Sequence, residues 1–168
     1  MTVRSVARMV VVGLVAAGSA DVAMAQEPLR PFVGLWRLVS WPQRLADGTS
    51  RQGANSVAYF VYTDTGHMCY VAMDPGRSMW ASETNPTAEE AIAGIAGVGA
   101  YCARVDVHAR EGFLLHRVEI EKVPNIVGRT RKRWFTFDGP DRLTLRVDPA
   151  EVVPPVVEST LVLERVRK

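Results

Sequence analysis

Short segments in which apolar and polar residues alternate, separated by turn residues, recur along most of this chain. The clearest lies at residues 142–147, where Leu143 and Leu145 alternate with Arg142, Thr144 and Arg146. A β-strand with one buried face shows this period of two, because successive side chains point to opposite sides. The pattern predicts eight strands, at residues 34–41, 57–63, 67–73, 99–107, 113–120, 130–137, 142–147 and 158–166.

Turn and cap signals set the limits of these segments. Pro42 is expected to end the first strand, and Asp64-Thr65-Gly66 predicts a tight hairpin between the second and third. Thr87 is followed three residues later by Glu90, which is the spacing of a capping box. One short helix is therefore expected near residues 87–95.

Sequential antiparallel strands joined by short links close naturally into an up-and-down barrel, which leaves no unpaired edge. The interior of an eight-stranded barrel is either filled by side chains or holds one small ligand. We therefore predict an all-β fold, an eight-stranded antiparallel up-and-down barrel with one short helix, as a single domain over residues 26–168.

The first 25 residues differ from this pattern and predict a cleavable secretory signal. Arg4 and Arg8 precede an apolar run of nine residues, 9–17. This run is too short for a helix that spans a bilayer, which needs about 20 residues. Ala23-Met24-Ala25 supplies the small residues that signal peptidase requires, so cleavage near Ala25 is expected. The mature protein is then periplasmic or secreted. An uncleaved N-terminal anchor is the alternative.

The charge of the mature chain argues against two classes of partner. Removal of the signal leaves 143 of the 168 residues, with 18 basic and 17 acidic side chains and a net charge of +1. A nearly neutral domain lacks the basic surface that binds nucleic acid or acidic lipid. The mature sequence also has no apolar stretch long enough to span a membrane, so stable membrane insertion is not expected. The oligomeric state stays open.

Two cysteines remain in the mature chain, Cys69 and Cys102. In an oxidising compartment such a pair favours a disulfide, which in the chain-entropy model stabilises a fold by roughly 3–4 kcal/mol for a loop of this length. Two buried thiols on neighbouring strands are the alternative. A single pair has neither zinc-ligand spacing nor a C-x-x-C motif, and no metal or cofactor site is predicted.

A set of motifs follows in a fixed order along the mature chain. They are Gly34-x-Trp36-x-Leu38, Tyr62-Thr63-x-x-Gly66-His67-Met68, Ala100-Tyr101-Cys102, Pro124-Asn125-x-Val127-Gly128 and Asp141-Arg142-Leu143-Thr144-Leu145. This set resembles the lipocalin-like domain family of bacteria and fungi, which are calycin-type barrels. The resemblance implies the barrel fold and places Trp36 across its closed end. It brings no catalytic motif, and Ala103-Arg104 departs from the glycine that is usual in the family.

Two polar side chains are predicted to point into the barrel. His116 lies on an apolar face of its strand, and Arg133 shares a face with Phe135. A buried neutral imidazole can anchor a ligand by one hydrogen bond, and an inward guanidinium can bind a carboxylate. The alternatives are a hydrogen-bonded core histidine and, for Arg133 and Arg131 on the same face, an ion pair at the rim with Glu119 or Glu121.

Aromatic strand residues complete a candidate ligand cavity. The residues predicted to line it with His116 and Arg133 are Tyr59, Tyr101, Trp134 and Phe135. An apolar pocket with a few convergent polar groups is the usual form of a small-molecule site, although aromatic strand residues also serve as plain core. Asn125 is expected to cap the backbone of its loop through its side chain.

Standard catalytic motifs such as G-x-S-x-G, H-E-x-x-H and the P-loop are absent from the sequence, and no residue is assigned a catalytic role. We expect an exported lipocalin-like protein that binds a small, mostly apolar ligand, with or without a carboxylate. Two alternatives stay open. One is an isomerase or cyclase that uses His116 as acid or base and Arg133 as an anion site, and the other is a cavity-free envelope interaction module.

Overall fold

The computed structural model describes residues 27–167, and all eight predicted strands form within two residues of their expected limits. The predicted secretory signal lies outside the described residues. In chain order the strands are β1 (Gly34–Ser40), β2 (Pro42–Leu45), β3 (Ser50–Gln52), β4 (Val57–Tyr62), β5 (His67–Met73), β6 (Val98–His108), β7 (Phe113–Glu121), β8 (Thr130–Phe137), β9 (Arg142–Val147) and β10 (Val156–Arg165).

Eight of these strands form the closed barrel that the sequence predicts. Strands β4 to β9 each pair antiparallel with the next strand in the chain, and β1 pairs with β4 on one side. On its other side β1 pairs with β10, where Trp36 lies opposite Arg165 and Leu38 opposite Leu163. This last pairing closes the sheet on itself, so the prediction of an up-and-down barrel is confirmed.

The short strands β2 and β3 were not predicted. The first strand ends before Pro42, as expected, but a new strand begins at that residue. The chain bends at Trp41 and resumes as β2, which begins at Pro42 and pairs with β10 through Leu45 and Val156. The reason is the length of β10. Its C-terminal half pairs with β1, so its N-terminal half is left free to pair with β2.

One α-helix, α1 (Ala88–Ala96), connects β5 to β6 and confirms the predicted helix. Its capping box is complete, because the Thr87 hydroxyl accepts from the Glu90 amide at 3.2 Å and the Glu90 carboxylate accepts from the Thr87 amide at 2.7 Å. Across residues 27–167, no helix has both the length and the hydropathy of a membrane span.

The predicted disulfide is present. Cys69 on β5 lies directly opposite Cys102 on β6, and their sulfurs are 2.06 Å apart. Both side chains are on the outer side of the barrel, since their strand neighbours Met68, Ala103 and Tyr101 are buried inside. The bond therefore joins the two strands from outside without occupying the interior.

Trp36 seals one end of the barrel. Its side chain is fully buried, and its indole N–H donates to the Phe32 carbonyl at 2.6 Å. The Arg165 guanidinium lies 4.1 Å from the Trp36 ring and also donates to the carbonyls of Val33 and Pro31. This arrangement combines a cation–π contact with direct hydrogen bonds to the chain segment that crosses the end.

Replacement of Trp36 by alanine tests how much the closed end contributes to stability. A fully buried tryptophan leaves a large cavity on truncation, so we expect Trp36→Ala to lower the free energy of unfolding by about 3–5 kcal/mol. Trp134→Ala is the control, because Trp134 is half-exposed on the outer side of β8 and its loss should cost about 1 kcal/mol. Urea unfolding followed by circular dichroism measures both, and equal losses would contradict this account.

Candidate functional site

Small residues lie at the opposite end of the barrel from Trp36. Ala58 on β4 is paired with Ala72 on β5, which is paired with Gly99 on β6, so three adjacent strands carry small inward positions in one row. A Cβ atom at Gly99 would lie 2.6 Å from the Tyr70 hydroxyl oxygen, so only glycine lets that ring occupy its place. The row leaves a cavity of about 200 Å³ at this end.

The cavity has an apolar wall and a polar wall. The apolar wall comes mainly from the first strands and from β10, and comprises Leu38, Ala58, Phe60, Ala72, Val147 and Leu161. The polar wall comes mainly from β6 and β8 and from loops at the mouth, and comprises Trp41, Asn55, Tyr70, Tyr101, Arg131, Arg133 and Glu151.

Arg133 is the most buried charge of the polar wall. Its guanidinium donates to the Glu151 carboxylate at 2.7 Å and to the Lys132 carbonyl at 2.6 Å, and Glu151 also accepts from the Lys132 amide. Burial disfavours its positive charge, but the interactions of the guanidinium with Tyr101 and with the Glu151 carboxylate outweigh that effect and raise the pKa of Arg133. The side chain is therefore a permanent cation held in a fixed direction.

Arg131 lies beside it and forms a second ion pair. Its guanidinium donates to the Glu121 carboxylate at 3.0 Å, and its central carbon lies 5.1 Å from the centroid of the Tyr101 ring. Glu121 is one of the two rim partners that the sequence leaves open for the inward arginines, and the structure pairs it with Arg131. Each guanidinium of the polar wall is thus matched by one carboxylate.

His116 lies behind this wall and is bonded to two tyrosines. Its Nδ1 is 2.8 Å from the Tyr101 hydroxyl and its Nε2 is 3.3 Å from the Tyr62 hydroxyl. A neutral imidazole offers one donor and one acceptor, so these two hydroxyls satisfy both ring nitrogens. Burial, together with repulsion from Arg133 and Arg131, holds the pKa of His116 well below its usual value.

The tyrosines of this network are also held neutral. Burial is the main cause that raises the pKa of Tyr62 and Tyr101, and it raises the pKa of Tyr70 to about 12. Tyr101 is the member that both contacts His116 and lines the cavity. The imidazole therefore fixes the orientation of a hydroxyl-bearing ring at the cavity wall.

The structure brings together only part of the predicted cavity lining. Arg133 and Tyr101 line the cavity, whereas His116 is separated from it by Tyr101. Phe135 lies towards the closed end, with its ring 4.9 Å from that of Phe32. His116 does not line the cavity, so the hypothesis that it acts there as an acid or base lacks the contact that it requires. The cavity also argues against the hypothesis of a cavity-free module.

Tyr59 and Trp134 are on the outer side of the barrel, so their prediction as lining residues is corrected. Tyr59 is 48% exposed because its strand neighbours Ala58 and Phe60 point inward. Trp134 points away from the interior for the same reason, since Arg133 is the inward residue of that pair. The Lys132 ammonium nitrogen lies over the Trp134 ring, 4.1 Å from its centroid.

The predicted role of Asn125 is also corrected. Asn125 is exposed in a 3₁₀ turn, Pro124–Ile126. Backbone bonds hold that loop instead, from the Ile126 amide to the Val123 carbonyl at 3.0 Å and from the Gly128 amide to the Val118 carbonyl at 2.9 Å. The loop therefore keeps its shape without the side chain.

Two lining residues were missed for identifiable reasons. If the alternation of β1 continued unchanged, Trp41 would point outward like Leu35 and Arg37. A register shift between Leu38 and Ser40 reverses the alternation, so the Trp41 side chain points towards the cavity. Glu151 lies in a loop, and no sequence periodicity links it to Arg133. The run of small residues Ala58, Ala72 and Gly99 on successive strands is the signal that could have located the cavity.

No group of three or more histidine, cysteine, aspartate or glutamate side chains within residues 27–167 is placed to hold a metal ion. The polar wall is instead built from guanidinium, carboxylate, hydroxyl and amide groups. Such groups can orient an oxygen-bearing organic molecule by hydrogen bonds.

Comparison with known protein families agrees with this architecture. Residues 33–166 match the family described as lipocalin-like domain, so the chain belongs to that family. Among solved structures, a redesigned β-barrel aligns with 85% of this chain and 96% of its own, with 12% sequence identity and a TM-score of 0.40. No curated protein matches the chain.

The lowered pKa of His116 predicts how stability depends on pH. Below about pH 6.5 the unfolded chain binds a proton at this histidine that the folded chain does not, so stability falls as the pH is lowered. We expect this group to contribute a slope approaching about 1.4 kcal/mol per pH unit, and His116→Gln to remove it. Urea unfolding between pH 5 and 8 measures the difference, and parallel curves for the two proteins would contradict the prediction.

Proposed function

We propose that this is an exported protein whose barrel binds one small, mostly apolar molecule at the end opposite Trp36. The observation that carries the proposal is the cavity of about 200 Å³, with apolar side chains on one wall and two guanidinium groups on the other. An apolar pocket with a few fixed polar groups is the usual form of a small-molecule site. Membership of the lipocalin-like domain family supports a ligand-binding barrel.

The size of the cavity limits the ligand. Drug-sized ligands occupy clefts of roughly 300–1,000 Å³, and this cavity is smaller. A compound with a single aromatic or alicyclic ring is the kind of molecule that fits it. The row of Ala58 and Ala72 would face the ring, since these are the smallest side chains of the apolar wall.

The polar wall would orient such a ligand rather than supply most of the binding free energy. Arg131 and Arg133 are already paired with Glu121 and Glu151, so the wall carries no net charge to attract an anion over a distance. Donor groups of the guanidiniums and the Tyr101 hydroxyl can still bond an oxygen atom on the ligand. We therefore propose a ligand that carries one oxygen acceptor, with or without a carboxylate.

Two observations support export. The first 25 residues have the pattern of a secretory signal, and the disulfide between Cys69 and Cys102 fits an oxidising compartment. In such a compartment the protein would meet small molecules that enter from outside the cell. The ligand is therefore sought among compounds of the periplasm or the medium.

A thermal-shift screen with toluene, acetophenone and benzoate tests this proposal. The three probes share a benzene ring and carry a methyl, an acetyl and a carboxylate group, respectively. Comparison of the three therefore separates recognition of the ring from recognition of an oxygen acceptor. A ligand present at 100 times its dissociation constant should stabilise the folded protein by about 2.7 kcal/mol. We expect acetophenone or benzoate to give the largest rise in melting temperature, and native mass spectrometry to show one bound molecule.

A cavity-filling variant separates the proposed site from unspecific binding. Ala72→Leu adds three carbons inside the cavity and should abolish the thermal shift without loss of fold. Thr136→Leu is the matched control, because it adds an apolar side chain on the exposed outer side of β8. A protein that none of the three probes stabilises, or an Ala72→Leu variant that binds as well as the unmodified protein, would overturn the proposal.

A further inference from the structure

One half of the barrel is apolar on its outer side as well as inside. The outer positions of β4 are Val57, Tyr59 and Val61, and all three are substantially exposed. Those of β5 that adjoin them are Val71 and Met73, which are also exposed. Single exposed apolar residues are normal, whereas a contiguous group marks an interaction surface.

The strand register shows that these side chains are contiguous. We define the apolar outer face as the outward side chains that form three rows across β1, β4, β5, β6 and the end of β7. The first row is Leu35, Val61, Cys69, Cys102 and Ile120, the second contains Tyr59, Val71 and Ala100, and the third contains Val57, Met73 and Val98. Ile120, at the edge, is 65% exposed.

The opposite side of the barrel shows how unusual this face is. Charged outward side chains there form ion pairs such as Arg142 of β9 with Glu164 of β10 at 3.0 Å. Farther along β6 and β7, beyond the apolar rows, Asp106 pairs with Arg117 at 2.6 Å.

None of the side chains named in the three rows is charged. Two guanidinium groups border these rows. Arg37 lies beside Tyr59 on β1, and its charge is matched by Glu164 at 3.6 Å. The Arg77 guanidinium lies 3.0 Å from the Met73 sulfur, at the end of the third row.

We propose that the apolar outer face is a dimer interface and that its partner is a second copy of this chain. In a two-fold dimer the same patch meets itself, so a charge near the centre would face its own copy at close range. An uncharged patch avoids that repulsion, and here every side chain near the centre is apolar. Two antiparallel sheet faces with apolar side chains pack face to face at about 10 Å, as in β-sandwiches.

The area of the face indicates the strength of association. Its half-exposed side chains offer on the order of 400 Å² of apolar surface, at about 50 Å² each. A standard homodimer interface buries about 800 Å² per subunit, of which about 65% is apolar. The face provides most of that requirement but not all of it, so a reversible dimer is expected rather than a permanent one.

Sedimentation velocity of the purified, oxidised protein from 1 to 200 µM tests this inference. We expect a reversible monomer–dimer equilibrium whose midpoint lies within that range. Val71→Glu places a charge near the centre of the face, on a side chain that is already exposed, and should weaken dimerisation by about tenfold or more. Thr136→Glu is the matched control, since it puts the same group on the exposed opposite side and should leave the equilibrium unchanged.

Tyr59→Lys is a second variant that places a charge on the same face, and it can replace Val71→Glu if that protein does not fold. Circular dichroism checks the fold of each protein. A protein that stays monomeric up to 200 µM would overturn the inference. So would a dimer that Val71→Glu and Thr136→Glu weaken equally, because the contact would then lie elsewhere.

Discussion

The pairing of β1 with β10 is the interaction on which the rest of this structure depends. It joins residues that are 129 positions apart in the sequence, such as Trp36 and Arg165, and turns an open sheet into a barrel without edges. Arg165 strengthens this closure, since its guanidinium covers the Trp36 ring and holds the carbonyls of Val33 and Pro31. The segment before β1 is thereby fixed across one end.

Closure at one end leaves the other end as the place where a cavity can form. The sealed end is filled by large side chains, among them Trp36, Tyr62 and Met68, which are essentially inaccessible to solvent. Towards the other end the inward positions of β4 and β5 are Ala58 and Ala72. The barrel therefore changes from a packed core to a small pocket along its axis, and Tyr101 and His116 lie between the two regions.

The sequence was most informative where one face of a strand is polar. Strand β9 alternates cleanly, and its limits were predicted without error. Strand β4 reads Val-Ala-Tyr-Phe-Val-Tyr, with no polar residue to mark the outside, so its inner face could not be chosen from periodicity and Tyr59 was assigned to the wrong side. The register with β1 and β5 decides that question, and register is a property of the folded sheet.

Contacts made by loops were also beyond the reach of the sequence. Glu151 reaches Arg133 only because the loop between β9 and β10 carries it to the mouth, and no pattern of residues predicts that approach. The hairpin of β2 and β3 depends likewise on the unpaired half of β10. By contrast, the sequence was sufficient to predict the disulfide. Cys69 and Cys102 are the only two cysteines in the sequence, and they lie on adjacent predicted strands.

The apolar character of β4 on both faces has one explanation inside the barrel and another outside it. Inward, its residues line the cavity and the core, and outward they belong to a face that we assign to self-association. The cavity mouth is not part of that outer face, because the cavity is lined by inward side chains such as Ala58 and Phe60. Ligand binding and dimerisation can therefore be tested separately.

The central claim is that the pocket lies at the end of the barrel opposite Trp36, and methyl NMR of the alanines tests it most directly. Titration with toluene should shift the methyl signals of Ala58 and Ala72, which line the cavity, through the ring current of the bound molecule. The signal of Ala103, which is fully buried but not part of the cavity wall, should stay in place. Shifts confined to Ala103, or to alanines outside the barrel, would contradict the account.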